Sequence, residues 1–337
     1  MRWLMKLLFW LIFLGAITAA AVGGWVYHWV NKPLQLSESE IDVRIPQGTG
    51  PMRIGQILVD EGVTMPAPAF GWLARLTGQD RSIQAGGYQI RQGDSLVDVV
   101  RRMAQGEVTQ RRVAFIEGWT VQQIMAALAE HPDVNQTIEA ELLANQRELA
   151  SRLGVEQSRL EGLLFPDTYV FSVGTSDEEI LLRALRTQNE VLEQAWSNRV
   201  ADLPLKNPYE ALILASIVEK ETGRADERRR VAGVFINRLR VGMPLQTDPT
   251  VIYGMGDRYQ GRIRKADLRR DTPWNTYTRP GLPPTPIAAA SRASLEAALN
   301  PEEHDYFYFV ARGDGTSAFA KNLRDHNRNV AKYILGR

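Results

Sequence analysis

The sequence lacks several residue types on which common enzyme chemistries depend. It contains no cysteine, which excludes disulfides, thiolate nucleophiles, zinc ribbons and iron–sulfur ligation. Its four histidines are far apart and form no HExxH pair, so no metal is expected. The formal net charge is only +1, whereas nucleic-acid-binding domains usually carry a large basic excess. The composition therefore predicts no nucleic-acid partner.

An uncharged apolar run occupies residues 7–30. As a helix this run is about 36 Å long, which is enough to cross a bilayer. Arg2 and Lys6 precede it and the acidic segment SESEID follows, so the positive-inside rule predicts a cytoplasmic N-terminus and an exported body. A signal peptide cleaved near the small residues 18–21 is the alternative, although the apolar run continues well beyond them. A buried soluble helix is the third and least favoured interpretation.

Three later segments share a pattern of strand, glycine turn and helix. They are IPQGTGPMRIGQIL at 45–58, IRQGDSLVDVV at 90–100 and FIEGWTVQQIMAAL at 115–128. A hydroxyl residue near each glycine is in place to cap the following helix: Thr49, Ser95 and Thr120. The irregular spacing argues against a solenoid, and chance similarity of β-turn-α units is the alternative.

Residues 41–91 have the order strand, helix, helix, strand, which is a βααβ unit. The segment GYQIRQGDSLVDVVRRMAQG at its end resembles a LysM carbohydrate-binding motif. Farther along, Pro166 interrupts any helix, and we expect a strand at 168–172 and an amphipathic helix at 177–196. The predicted fold class is α+β, in three parts: a cytoplasmic N-terminus and transmembrane anchor at 1–32, a small LysM-like βααβ domain at 38–108, and a mixed α+β catalytic domain at 112–337.

A buried helix with an acidic residue at its end is predicted for NPYEALILASIVEKETG at 207–223. Asn207 is a suitable N-cap, Pro208 fits the first helical position, and Gly223 lies beyond the end. The interior ALILASIV is apolar on nearly all sides, so Glu219 should emerge at the C-terminal turn. Desolvation and the negative end of the helix dipole disfavour a carboxylate there, and so favour the protonated acid that a glycosidase needs. An ion pair with a nearby arginine is the structural alternative.

Several segments together resemble the membrane-bound endolytic murein transglycosylase (YceG-like) family. They are SIVEKETG, VAGVFINRL, PLQTDPTVIYGMG, EGLLFPDTY, WNTYTRPGLPPTPI and HNRNV. The resemblance covers almost the whole chain, including the LysM-like unit. It departs from the family pattern at Ile116 in FIEGWT and in the run PIAAAS at 286–291. Matching the motif residue by residue places the catalytic glutamate of the family on Glu219.

This resemblance implies a peptidoglycan lytic transglycosylase, a lyase that cleaves the MurNAc–GlcNAc bond within nascent glycan strands. The products would carry 1,6-anhydro-MurNAc ends, and glycan elongation would stop. The resemblance also implies a single-pass protein of the bacterial inner membrane, with its catalytic domain in the periplasm, that acts in cell wall biogenesis beside peptidoglycan synthases (penicillin-binding proteins). Two alternatives remain: a hydrolytic muramidase, which would need a second carboxylate such as Glu221 or Asp248, and a non-catalytic peptidoglycan-binding scaffold.

Five further residues are candidates for sugar contacts. Ser216 lies on the predicted face of Glu219, where its small side chain leaves room for a sugar. The polar run LQTDPT, expected to be extended before its proline, supplies Gln246 and Asp248. Asn275 and Tyr277 precede a proline-rich run and offer a second binding edge. Each of these residues could equally stabilise a turn.

Two other patterns have weaker functional interpretations. A strand-like VIY at 251–253 precedes Gly254 and Gly256, but the next glycine comes too late for a dinucleotide fingerprint, so no nucleotide cofactor is expected. Two basic clusters, at 228–240 and 262–270, could attract the acidic peptide stems of peptidoglycan. A solvated helix face is the favoured explanation for both clusters.

Overall fold

The structure, a computed structural model, describes residues 2–139, 141, 142 and 145–336. The chain divides into two compact units. The first runs from the N-terminal helix to Arg111 and takes in Asp133–Asn135 and Val170–Thr175. The second comprises Arg112–Pro132, Gln136–Tyr169 and the chain from Ser176 onward. Helices and short strands occur in both units, which agrees with the predicted α+β class.

The N-terminal helix α1 spans Arg2–Val30. Its apolar part, Met5–Val30, has a mean hydropathy of 2.1, and its residues are exposed as far as His28. By length and composition this helix can cross a membrane, and a signal sequence would have the same properties. Val30 at its end is buried in the core of the first unit, and Trp29 packs against that core.

The first unit contains the predicted βααβ order. Its elements are β1 (Gln35–Leu36), β2 (Glu40–Ile45), α2 (Pro51–Asp60), β3 (Val63–Thr64), α3 (Pro68–Leu76), β4 (Gly86–Arg91) and α4 (Leu96–Gln105). Strands β2 and β4 pair antiparallel, with Val43 opposite Tyr88, and alternate residues of β2 are buried. Strands β1 and β3 form a second pair, which the sequence did not predict because two-residue strands leave no alternation pattern.

The predicted helix caps are right at two of the three repeats. Ser95 accepts a hydrogen bond from the backbone of α4, and Thr120 does the same for α5 (Val121–Ala129). The cap predicted at Thr49 is wrong. Gly50 is the N-cap of α2, and the Thr49 hydroxyl donates to the carbonyl of Pro46 at 2.8 Å. Pro51 takes the first helical position, which makes residue 50 the cap.

The chain beyond α4 is mainly helical. It begins with β5 (Gln110–Ala114) and α5, and the elements that follow are α6 (Gln146–Arg152), β6 (Thr168–Ser172), α7 (Asp177–Ser197), α8 (Pro208–Glu221), α9 (Ala225–Arg240), α10 (Asp248–Met255), a 3₁₀ turn (Gly256–Arg258), α11 (Lys265–Arg269), α12 (Arg292–Leu299), β7 (Tyr308–Ala311), β8 (Ser317–Ala320) and α13 (Leu323–Tyr333). Strands β5 and β6 contain residues of both units, and the elements from α7 onward belong to the second. Strands β5 and β6 pair, as do β7 and β8. The strand predicted at 168–172 is confirmed, and the helix predicted at 177–196 is one residue longer.

Helix α8 lies at the centre of the second unit. The Asn207 side chain caps it by accepting from the backbone of Glu210 at 3.0 Å, and Pro208 is its first residue, as predicted. All eight residues from 211 to 218 are buried, because α7, α9, α10 and α12 pack around the helix. The all-round apolar sequence therefore produces a helix that is enclosed except at its ends.

The strand-like interpretation of VIY at 251–253 is wrong, because these residues lie within α10. Pro249 stands in the first turn of this helix, where its missing N–H costs nothing. The Thr250 hydroxyl donates to the carbonyl of Thr247 at 2.8 Å and reinforces that turn. The capping signals at the N-terminus of α10 and its tertiary packing therefore override the strand preference of Val251, Ile252 and Tyr253.

Candidate active site

Glu219 lies in the last turn of α8, where the carboxylate leaves the buried part of the helix. Its Oε2 accepts two hydrogen bonds from Ser291: one from the backbone N–H at 2.9 Å and one from the hydroxyl at 2.5 Å. Ser291 is only 2% exposed and is the N-cap of α12. The carboxylate is therefore fixed at one oxygen by a buried partner.

The structural alternative for Glu219, an ion pair with an arginine, is not observed. Among the residues that the structure describes, no cation pairs with this carboxylate, and Oε1 has no hydrogen-bond partner. The neighbouring Lys220 turns away and donates from Nζ to the carbonyl of Gly118 at 3.2 Å. One carboxylate oxygen thus remains available to a ligand.

Two loops meet at this end of α8. Gly118 donates to the carbonyl of Ala289 at 2.8 Å, and Ala289 donates back to the carbonyl of Trp119 at 2.7 Å. Gly118 has φ of +78°, and a Cβ at that position would lie 3.9 Å from Cγ of Glu219. The first loop follows Ile116 and the second is the run at 286–291, so both segments noted in the sequence lie beside the candidate acid.

The electrostatic setting of Glu219 differs from the one predicted. The sequence indicated only the negative C-terminal end of its own helix. The structure adds the N-terminus of α12, because Ser291 caps that helix while it binds Glu219. The opposite ends of two helix dipoles therefore meet at one carboxylate.

Ser216 has no exposed surface. Its hydroxyl donates to the carbonyl of Ile213 at 2.7 Å and accepts from the backbone of Ile287 at 3.0 Å. Ser216 therefore fastens the 286–291 loop to α8. A sugar could reach this hydroxyl only if that loop moved.

Glu221 points away from Glu219, toward the LQTDPT segment. It accepts a short hydrogen bond from the hydroxyl of Thr247, which is the N-cap of α10. Burial raises the pKa of Glu221 to about 7, and the neighbouring Asp248 also raises it, whereas Thr247 and the buried Arg238 lower it. A carboxyl group whose pKa burial raises to about 7 therefore lies at the same helix end as Glu219.

The two predicted residues of LQTDPT are exposed, as a binding role requires. Gln246 has a left-handed backbone with φ of +47°, unusual for a residue other than glycine, and its N–H donates to the carbonyl of Thr276 at 3.1 Å. The segment is thus not uniformly extended as predicted, and α10 begins at Asp248 itself. Asp248 accepts from the Tyr277 hydroxyl at 2.6 Å. Burial raises the pKa of Tyr277, as does this bond to a carboxylate.

Asn275 is 1% exposed and stabilises a turn, the alternative left open by the sequence. Its Nδ2 donates to the carbonyls of Leu268 at 3.1 Å and Arg270 at 2.8 Å, and its Oδ1 accepts from the backbone of Tyr277. The adjacent Thr276 hydroxyl accepts from the backbone N–H of Thr247 at 3.1 Å. The two predicted binding segments are therefore joined to each other.

A buried carboxylate that the sequence did not single out is Glu161. It is 3% exposed, accepts from the backbone of Val121 at 3.1 Å, and accepts from the hydroxyl of Tyr253 at 3.0 Å. Burial raises the pKa of Glu161 to about 7 against the lowering effect of these bonds. Glu161 holds the start of α5 to α10, and its position at the head of EGLLFPDTY was the one available signal.

Within the described residues, no group of three or more His, Cys, Asp or Glu side chains could hold a metal ion. The residues gathered around the end of α8 provide two carboxylates, each bound through one oxygen by a hydroxyl, together with backbone amides. Such a set suits proton transfer and the binding of a polar, uncharged ligand.

Comparisons with known proteins identify the family. The profile of the YceG-like family matches residues 43–332. The chain is 32% identical to a Bacillus subtilis (strain 168) protein named endolytic murein transglycosylase, covering 88% of this chain and 86% of the relative. A protein of that name from Streptococcus pneumoniae serotype 2 is 29% identical, and the alignment covers 96% of this chain but only 64% of the relative. The crystal structure of a yceG-like protein from Listeria monocytogenes matches with a TM-score of 0.54 at 29% identity, covering 87% of this chain and 99% of that one. Since the profile matches far more than half of its residues, the chain belongs to the YceG-like family.

Proposed function

We propose that this protein is a peptidoglycan lytic transglycosylase that cleaves glycan strands internally, with Glu219 as its acid and base. The relatives from B. subtilis and S. pneumoniae carry the name endolytic murein transglycosylase, which supports this activity. The structural observation that carries the proposal is the state of Glu219. One of its oxygens is fixed by Ser291, and the other has no partner among the described residues.

The proposed reaction needs only one carboxyl group. Glu219 protonates the glycosidic oxygen between MurNAc and GlcNAc, and the C1–O bond breaks. The resulting carboxylate then removes the proton from the C6 hydroxyl of the same MurNAc, whose oxygen bonds to C1 and closes the 1,6-anhydro ring. Glu219 ends protonated, as it began, and no water is consumed. The acetamido group of the substrate is available to support positive charge at C1.

A hydrolytic muramidase would instead need a second carboxylate at a defined separation to activate water or attack C1. The two candidates near α8, Glu221 and Asp248, both accept hydrogen bonds from protein hydroxyls. Mass spectrometry of products from intact strands decides between the two, because anhydro ends lack one water relative to reducing ends. Exclusive formation of reducing ends would exclude the lyase.

The alternative to an enzyme is a non-catalytic scaffold that binds the cell wall, and the Glu219→Gln variant distinguishes the two. We expect the purified variant to lose at least about 100-fold in rate, as removal of an essential acid requires. Glu130→Gln is a matched control, because Glu130 is an exposed glutamate at the end of another helix, α5. Undiminished cleavage by Glu219→Gln would remove the catalytic assignment. Absence of cleavage by the wild-type protein would favour the scaffold.

The proposal includes the finer organisation of the chain. Residues 1–32 comprise the cytoplasmic N-terminus and membrane anchor, 38–108 a LysM-like domain, and 112–337 the catalytic domain. The catalytic domain lies on the periplasmic side of the inner membrane, where nascent strands from the peptidoglycan synthases are within its reach. The exposed, apolar Met5–Val30 span supports the anchor, and the βααβ order of the first unit supports the LysM-like assignment. Reporter fusions at the two ends of α1 would test the orientation.

Substrate contacts are proposed for Gln246, Asp248 and Tyr277, which lie at or near the surface around the end of α8. Ser216 and Asn275, in contrast, bind protein backbone atoms and are proposed to shape the site from beneath. Their contribution would then be to hold loops that contact the sugar. Substitutions at the first three residues should raise KM, whereas those at the buried pair should also lower stability.

A further inference from the structure

The two basic clusters noted in the sequence, at 228–240 and 262–270, differ in the contacts that their side chains make. In the first, on α9, Arg229 and the buried Arg238 each donate to a backbone carbonyl at 2.7 Å, and Arg230 pairs with Glu302 at 2.9 Å. These arginines bind the C-terminal part of the chain. These three of the five arginines in the first cluster therefore have protein partners.

The second cluster is different because its charge is not compensated. Residues 262–270, here named the cationic segment, contain five cationic residues and one acidic residue, in a chain of net charge +1. All five cationic side chains are exposed, and none of them forms an ion pair within the described part of the chain: Arg262, Arg264, Lys265, Arg269 and Arg270. The one carboxylate, of Asp267, accepts from the backbone N–H of Arg264 at 2.9 Å and caps α11. The segment thus presents a concentrated positive field to solvent.

The cationic segment is attached to the candidate active site. Asn275 donates to the carbonyls of Leu268 and Arg270, and so fixes the end of the segment. The next residue, Thr276, binds the backbone of Thr247, whose hydroxyl in turn binds Glu221 at the end of α8. A short series of contacts therefore connects the positive field to the helix end that carries the candidate acid.

We propose that the cationic segment binds the carboxylates of the stem peptides on the glycan strand that Glu219 cleaves. This inference rests on the proposed function. The glycan backbone is uncharged apart from its stem peptides, which are attached to the MurNAc whose bond is cut. The stem carboxylates therefore arrive at a fixed distance from the scissile bond. Exposed cations recognise such groups by charge complementarity, which is weakened by salt.

The test compares two substrates with the full-length protein in a neutral detergent. One is a preparation of intact strands. The other is the same preparation after an amidase has removed the stem peptides and the lactyl carboxylate left on each MurNAc has been coupled to methylamine, so that the stripped strand is uncharged. The test variant is R262Q/K265Q/R269Q. The control variant R112Q/R147Q/R186Q removes the same number of exposed charges elsewhere in the second unit.

We expect the test variant to raise KM for peptide-bearing strands about three- to tenfold, as loss of three exposed ion pairs implies. Its kcat should be unchanged, its KM for stripped strands should equal that of the wild type, and added salt should abolish the difference. The control variant should match the wild type on both substrates. The conservative variant R262K/R269K keeps every positive charge of the segment and should retain the low KM for peptide-bearing strands.

Several results would overturn the inference. They are an equal rise in KM on both substrates, a comparable rise in the control variant, or no change in the test variant although the wild type cleaves both substrates. The same KM measurements are repeated with the protein in vesicles that contain phosphatidylglycerol. If the test variant raises KM only there, and equally for both substrates, the segment binds lipid head groups instead. If the wild type cleaves neither substrate, the proposed function fails, and this inference fails with it.

Discussion

The hydrogen bonds between Ser291 and Glu219 allow a sharp test of how the acid is positioned. The Ser291→Ala substitution removes the 2.5 Å hydroxyl bond and leaves the 2.9 Å backbone bond in place. It also removes the cap of α12, because the same hydroxyl accepts from the backbone of Ser294 at 3.1 Å. One substitution therefore has two separable consequences, for catalysis and for stability.

The size of each consequence follows from the contacts. A hydrogen bond to a charged group contributes about 1.5–3 kcal/mol. If all of this free energy is needed to hold Glu219 in the transition state, kcat falls about 10- to 100-fold. Loss of the cap costs about 1 kcal/mol of unfolding free energy. KM should change little, because Ser291 is buried beneath the carboxylate.

The assay is the initial rate of anhydro-end formation from intact strands, measured by mass spectrometry beside the thermal midpoint. Ser176→Ala is the matched control, since Ser176 caps α7 by accepting from Glu179 at 3.1 Å and makes no contact with Glu219. Both variants should lose similar stability, and only Ser291→Ala should lose kcat. A kcat within twofold of the wild type for Ser291→Ala would refute the positioning argument, as would an equal loss in Ser176→Ala.

Three further predictions concern the surroundings of the site. The folded pKa of Glu161, about 7, lies above its unfolded value of 4.5, so Glu161 should contribute about 3 kcal/mol to the stability that is lost as pH rises from 4.5 to above 7. In urea unfolding at a series of pH values, Glu161→Gln should remove this contribution and leave that of Glu221, whose pKa burial raises in the same way, and an unchanged slope would contradict the assignment. Thr247→Val removes the hydrogen bond that ties the LQTDPT segment to Glu221 and should raise KM several-fold at nearly constant kcat. An unaltered KM would show that this bond does not position the segment for substrate binding. Gln246→Gly relieves the strain of a non-glycine residue in a left-handed backbone conformation, so the free energy of unfolding should be equal or up to about 1 kcal/mol higher. Its KM should rise because the side chain is lost, and an unchanged KM would show that Gln246 does not contact the sugar.

The elements predicted correctly are those whose signals are local. Helix α8 carries its cap at Asn207, its proline at 208 and an apolar interior within one short segment, and the structure matches these signals residue by residue. Ser95 and Thr120 likewise cap the helices that directly follow them. Such contacts join residues three positions apart, so the sequence pattern contains both partners.

Predictions failed where two local signals competed or where a partner was distant. At Thr49 a capping residue stands next to a glycine and a proline, and the proline fixed the helix start. Glu161 is buried by contacts with residues 40 and 92 positions away, Val121 and Tyr253, and no periodicity reveals such contacts. Residue type alone also cannot decide whether a polar side chain faces a ligand. Asn275 has the right chemistry for a sugar contact but binds carbonyls a few residues away.

The geometry of a single helix turn explains why Glu219 and Glu221 have different roles. Two residues apart, they lie about 200° apart around the helix axis, so they face opposite sides of its end. Glu219 binds Ser291 on the 286–291 loop, and Glu221 binds Thr247 on the LQTDPT segment. Each carboxylate thus ties a different loop to the same buried helix, which sets the distance between the loops and the acid. One oxygen of each carboxylate makes this contact, and the second oxygen of each has no partner among the described residues. Anhydro-ring closure needs only one of the two groups, whereas double-carboxylate hydrolysis needs two at a defined separation.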